Sequence, residues 1–213
     1  MGAVNLGLLG GVLAVEHVMA SLAVRRPVFH SEADFQFAFA QEVVRLDPTI
    51  QVRLEVRQPS EKSEYVDLVC QTQQRRTFVE LKYPTALWAG VDPAGEQFTV
   101  RYHAAYDLAR RYFIHDVTRL ERFVAGTPNT DGAAILLTNE PGLWTPSGRA
   151  TRDAEFRLNE GRTLTGQLVW GAGGTPYDEV LAGEYQTTWT GYSDVGGAKG
   201  TFRYLALPIV VSQ

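Results

Sequence analysis

Two hundred and thirteen residues, 45% hydrophobic and 21% charged with 20 Gly, suffice for one domain with a sizeable core and exclude disordered, collagen-like and coiled-coil chains. A net charge of -4 and a pI near 5.6 exclude a protein that coats nucleic acid by bulk charge, while leaving room for local Arg clusters. The single cysteine, Cys70, can close no intramolecular disulfide and build no zinc cluster alone, so a reducing compartment, the cytoplasm, is expected.

Residues 2–15 (GAVNLGLLGGVLAV) form an apolar, Gly-rich run broken only by Asn5, shorter than the roughly 20 residues that span a bilayer. No Lys or Arg precedes Arg25, which argues against a signal peptide, and Leu6 stands where a myristoylation pattern wants Ser or Thr. Residues 1–22 are therefore read as an extension outside the core, with translation beginning at Met19 as the plain hypothesis, and no membrane partner is expected.

A capping-box-like start at Ser31-Glu32-Ala33-Asp34, followed by Phe35, Phe39, Val43 and Leu46 on one stripe, predicts a first helix over 31–46, closed by Pro48. Ile50, Val52, Leu54 and Val56 alternate with polar residues, the period of a strand with one buried face. Residues 59–64 make the turn. Tyr65–Cys70 and Thr77–Lys82 then read as two apolar strands joined by a polar turn, completing a three-stranded meander. Residues 84–96 are read as a loop leading to an apolar stretch at 98–100. A long helix is predicted over 102–124, with Ala105, Ala109, Tyr112, Leu120 and Phe123 recurring at helical spacing and Asp116 interrupting that face. Gly126, Pro128 and Asn129 end it, and Ala133–Thr138 is a continuous apolar run expected of a central strand covered on both faces. Beyond Asn139 the Gly- and Trp-rich chain predicts short antiparallel strands at 168–170, 185–192 and 202–211. No repeat or long linker divides it, so 23–213 reads as one domain.

Chemistry concentrates in Asp67 on one strand and Glu80-Leu81-Lys82 on the next. Period two puts Glu80 and Lys82 on one face and Leu81 on the other. A hairpin turn centred between Gln73 and Gln74 pairs Asp67 with Glu80, their Cβ atoms about 4.5–5.5 Å apart. Two carboxylates so placed repel, and a divalent cation supplies a reason to pair them: Mg²⁺ takes oxygen ligands, keeps several waters and is commonly held by one or two carboxylates plus substrate phosphate. Glu-x-Lys alone is a weak signal, but Lys occurs only at 62, 82 and 199 and the other 17 basic residues are Arg, so a Lys inside an apolar strand stands out. The bland alternative is a Glu80–Lys82 salt bridge or a Lys that guards a sheet edge.

These residues and the order of elements over 31–138, with the runs SEADFQFAFAQE, YVDLV, VELKY and AAILLTN, resemble the PD-(D/E)XK nuclease superfamily, and within it an uncharacterised group of bacterial proteins. The resemblance implies an α/β restriction-endonuclease-like fold with an αβββαβ core, a mixed sheet flanked by helices, and a β-rich extension over 139–213. It also implies Mg²⁺, for which Mn²⁺ substitutes, on Asp67 and Glu80 with help from the Leu81 carbonyl, and phosphodiester hydrolysis with Lys82 as a catalytic residue. The proline of the superfamily's name is absent, since Val66 precedes Asp67. Glu32 matches the family's third acid by position, its alternative being a helix-dipole or capping carboxylate.

On the long helix, His103, Asp107, Arg111, Thr118 and Arg122 share a stripe, and Arg110, Arg111 and Asp107 are candidate nucleic-acid contacts, ordinary solvated charge being the alternative. Asp116 is expected in a buried ion pair with Arg119 rather than at the metal. Trp170, Trp189 and Tyr192 are expected in the core. The function expected is Mg²⁺-dependent cleavage of DNA, in bacterial defence or repair, by a homodimer if both strands are cut. The competing classes are a noncatalytic nucleic-acid-binding or interaction module on the same fold, and hydrolysis of a non-nucleic phosphodiester.

Overall fold

Sequence periods of two and 3.6 alternate along this chain, and their apolar positions can be buried together only if helices cover both faces of a sheet. The computed structural model describes residues 7–59, 63–103 and 105–210. A short hairpin, β1 (Leu8–Leu9) and β2 (Leu13–Ala14), runs into α1 (Val15–Arg25) and α2 (Glu32–Leu46). The meander β3 (Gln51–Arg57), β4 (Tyr65–Gln71) and β5 (Arg76–Lys82) follows, then a hairpin of β6 (Trp88–Val91) and β7 (Gln97–Val100), α3 (Tyr106–Ala125) and β8 (Thr130–Thr138). The chain closes with the hairpin β9 (Thr163–Leu168) and β10 (Glu179–Gln186), then β11 (Trp189–Asp194) and β12 (Thr201–Ile209).

Six strands form one mixed sheet in the order β11-β12-β8-β5-β4-β3. Only β5 and β8 pair in parallel, and α3 supplies the crossover that a parallel pair requires. Alternation sorts the side chains: Leu68, Cys70, Val79 and Leu81 pack with α1 and α2, whereas Val69, Phe78 and Leu136 pack with α3. β8 is buried on both faces, as its unbroken apolar run predicts.

Helix α2 starts where expected, with the Ser31 hydroxyl accepting a hydrogen bond from Asp34 N at 3.1 Å and Phe35, Ala38, Phe39 and Val43 buried. β4 and β5 pair from Leu68↔Val79 to Gln71↔Arg76, the register of a turn centred between Gln73 and Gln74. β3 buries less than its alternation predicts: Leu54 is 47% exposed, because β3 is an edge strand and Glu55, at φ 51, breaks its pleat opposite Asp67. Of the turn assigned to 59–64, residues 60–62 lie outside the described residues.

Four expectations are corrected. Residues 9–22 belong to the core rather than to an extension, and 1–6 lie outside the described residues. Leu9, Val18 and Met19 are fully buried, and the β1–β2 turn is tied to β5 by Gly10 N donating to Thr77 Oγ1 at 2.9 Å. The described part of that run is apolar because Leu9 and Leu13 pack into the core beside β5. Second, α3 begins at Tyr106 rather than 102, since His103 is held in a backbone pair with Thr85 (2.9 Å). Its buried face is Phe113, Ile114, Val117, Leu120 and Phe123, while Ala105 and Tyr112 are exposed. Third, the segment read as a loop at 84–96 carries the β6 strand of a hairpin. Fourth, residues 139–213 are not an appendage, for β12 runs antiparallel to β8 inside the main sheet and only the β9–β10 hairpin stands apart from it. Trp170, Trp189 and Tyr192 are buried, as expected. Among the described residues no helix is long and apolar enough to cross a membrane.

A chain starting at Met19 would lose buried Leu9, Leu13, Val15 and Val18. At about 1.5–3 kcal/mol for each, the loss is comparable to the whole stability of a domain. We expect that truncation to show no cooperative thermal transition by circular dichroism; a transition within a few degrees of the full chain's would contradict the burial of 9–18.

Candidate active site

The last three residues of β5 and the first turn of α2 meet the middle of α3. Glu80 and Lys82 face α3, as strand alternation requires, with Glu80 only 2% exposed. Arg119 reaches down from α3, its Nη2 3.3 Å from Glu80 Oε1 and its Nη1 2.9 Å from Asp116 Oδ1, and it also donates to the Tyr65 carbonyl of β4. The Lys82 ammonium lies 3.1 Å from Asp116 Oδ2 and 3.8 Å from Glu32 Oε1. Glu32 Oε2 accepts from Tyr83 N at 2.9 Å, and Asp67 Oδ2 accepts from Leu81 N at 2.8 Å. Asp67 acts electrostatically on Glu32, Glu80, Lys82 and Asp116. Four carboxylates and two cations thus share one locus at the C-terminal end of β5.

Burial together with repulsion from Asp116 and Asp67 pushes the Glu80 carboxyl up to about 9, against the opposing pull of Arg119 and Lys82. Burial raises Asp116 as well, although Lys82 and Arg119 oppose it at closer range. Glu32 is raised, mainly by burial, against Lys82 and the Tyr83 N–H. For Lys82, burial alone would lower the ammonium's pKa, but Asp116, Glu32 and Asp67 outweigh it and raise it, so the side chain is a permanent cation near neutral pH.

A cleft of about 760 Å³ opens over this locus, with Glu32, Lys82, Asp116 and Arg119 on its charged wall and Tyr102, Leu108 and Tyr112 on its apolar wall. Glu80 and Asp67 do not line it. The two carboxylates that the sequence paired share the locus with Lys82, and Glu32 joins them from the first turn of α2 while Ser31 does the capping.

The donor chemistry fits a hard divalent cation. Carboxylates outnumber cations by two in the cluster, and the buried Glu80 Oε1 makes no hydrogen bond, being faced by Arg119 Nη2 at 3.3 Å, which a bound ion would have to displace or share. Among the described residues no three His, Cys, Asp or Glu side chains gather in metal-binding geometry. The set at hand is the Asp67 and Glu80 carboxylates with the Leu81 carbonyl, the small protein contribution Mg²⁺ accepts when it keeps its waters.

The helix stripe is corrected. Arg110 pairs with Asp153 and donates to Gly142 O at 2.7 Å, Arg111 donates to Pro176 O at 3.4 Å and lies 3.7 Å from Glu179, and Asp107 pairs with Arg152 at 2.7 Å. These groups tie α3 to the segments after β8 and are not free phosphate contacts; the side chains of Arg110 and Arg111 are only 16% and 12% exposed. Asp116 forms the expected ion pair with Arg119 and also holds Lys82, a contact the sequence reading did not foresee. The signal was present: one carboxylate on an otherwise apolar helical face.

No family model, curated protein or solved structure matches this chain.

Because Glu80 holds its proton to higher pH when folded than when unfolded, the folded chain binds more protons between pH 4.5 and about 9, and stability without metal falls as pH rises through that window. Glu80→Gln, which imitates the protonated form, removes this contribution. Urea midpoints in EDTA, taken across that range, are expected to fall less steeply for the variant; identical slopes would contradict the raised Glu80.

Proposed function

We propose that the chain is a metal-dependent phosphodiesterase acting on nucleic acid, with a restriction-endonuclease-like arrangement of α2, β3–β5, α3 and β8. One observation carries this reading: Asp67 and Glu80 lie on neighbouring strands just beyond their paired stretch, Asp67 accepting from the Leu81 N–H, and Lys82, two residues beyond Glu80, is held as a fixed cation on the wall of an open cleft. A structural salt bridge between Glu80 and Lys82 is not its explanation, since Lys82 is paired with Asp116 and Glu32.

Asp67, Glu80 and the Leu81 carbonyl would hold Mg²⁺ or Mn²⁺, which when bound lowers the pKa of water and neutralises phosphate charge. Lys82 presents its ammonium to the non-bridging phosphate oxygens and stabilises the charge that grows on them as phosphorus becomes pentavalent. Of the three roles open to it, this charge role and water orientation fit a permanently protonated side chain; taking up the water's proton does not. Glu32 and Asp116 act on Lys82 from two directions and fix its position, and Asp67 is oriented by its bond to the Leu81 N–H.

Arg119 favours a second reading, a noncatalytic nucleic-acid-binding module, because its guanidinium already meets Glu80 at 3.3 Å. The readings separate by incubating the protein with single- and double-stranded DNA and RNA in Mg²⁺ or Mn²⁺. We expect metal-dependent cutting that Glu80→Ala abolishes. Binding without cutting under every condition would favour the module.

Lys82→Arg keeps the charge but brings a larger, planar group whose fork cannot reproduce a point contact. Cleavage is expected to fall by roughly 100-fold or more with nucleic-acid binding retained; turnover equal to wild type would refute the role given to Lys82.

A further inference from the structure

We propose that the cleft takes single-stranded nucleic acid, its bases stacking on exposed tyrosines beside the Lys82 cluster. This rests on the nuclease reading above and names the form of its substrate. Tyr102 and Tyr112 line the cleft and are 60% and 48% exposed. Neither ring is loose. Tyr102 meets Tyr106 edge to face at 5.9 Å, and the Arg111 guanidinium lies 5.5 Å from the Tyr112 ring centre and 4.5 Å from that of Tyr177, itself 44% exposed. Arg111 is in turn held by Pro176 O and Glu179. The rings are positioned before any ligand arrives, so covering them loses little side-chain freedom.

Tyr112 lies one helical turn from Asp116, the residue that holds Lys82. A base stacked on Tyr112 therefore brings the adjoining phosphate to the charged wall. Only an unpaired base offers a free ring face, because duplex bases are stacked on one another. The charge distribution points the same way. Gripping a duplex takes cations aligned on both phosphate backbones, but on this side of the molecule Arg110, Arg111 and Arg152 are engaged by Asp153, Glu179 and Asp107.

The test is fluorescence anisotropy in EDTA, where no metal-dependent cutting proceeds. It uses labelled strands of about 12 nucleotides: a mixed-sequence single strand, the same strand as a duplex, and an abasic strand with the same backbone. The single strand is expected to bind roughly tenfold tighter than either other form. Tyr102→Leu/Tyr112→Leu should weaken it by about the same factor, while Tyr102→Phe/Tyr112→Phe, which keeps the rings, should not; thermal melting checks that both fold. Duplex or abasic binding as tight as single-strand binding, an unaffected Leu pair, or no single-strand binding at all overturns the inference. Failure of the catalytic reading is a different result: selective single-strand binding with no cutting in any metal would leave this inference standing, and cutting without strand preference would do the reverse.

Discussion

The ammonium of Lys82 is held by a carboxylate from each side of the sheet, Asp116 from α3 at 3.1 Å and Glu32 from the start of α2 at 3.8 Å. Helices on opposite faces meet only where a strand ends, so the C-terminal end of β5 is the place where this contact can form. A buried ammonium is costly without such partners, and buried carboxylates are costly without the ammonium. Removing Lys82 would leave Asp116 and Glu32 without the ammonium they share. Arg119 extends the same logic: it spans Asp116, Glu80 and the backbone of β4, and so fixes α3 against the meander by charge where the apolar contacts of Phe113, Val117 and Leu120 give out.

The electrostatics of this locus are unbalanced in one direction. Folding gathers four acids around two bases, and burial together with the neighbouring Asp116 and Asp67 raises the carboxyl of Glu80 although Arg119 faces it. Holding Glu80 buried among other acids, its carboxyl raised well above the ordinary range, costs stability at neutral pH. An acid kept there at the expense of stability is the kind of local conflict that marks functional sites, and a divalent cation would resolve it.

Much of this was legible in the sequence wherever a strict period forces geometry. The β4–β5 register followed from one turn, because a slip of one residue would have moved Phe78 and Glu80 to the other face. That register brings Asp67 to the end of β5, where the ladder stops at Leu68↔Val79 and the Asp67 carboxylate takes the Leu81 N–H instead of facing Glu80 as a paired residue. What was illegible depended on distant segments. The apolar run before Val15 shows neither a helical nor a strand period, so the burial of Leu9 and Leu13 beside β5 is a tertiary fact. The start of α3 is set by a backbone pair between His103 and Thr85, 18 residues apart. β12 reads as one more short strand, and only pairing with β8 places it inside the sheet. Likewise Arg110 and Arg111 look solvated on a helical wheel, and the acids that occupy them lie 43 and 68 residues away or more simply after β8, at Asp153 and Glu179.

A crystal structure grown in Mn²⁺ addresses the ion site without recourse to any substrate. An anomalous peak bounded by the Asp67 and Glu80 carboxylates and the Leu81 carbonyl, with Lys82 still on Asp116, is the expected result. No peak there at a saturating concentration, with Arg119 still against Glu80, would contradict it.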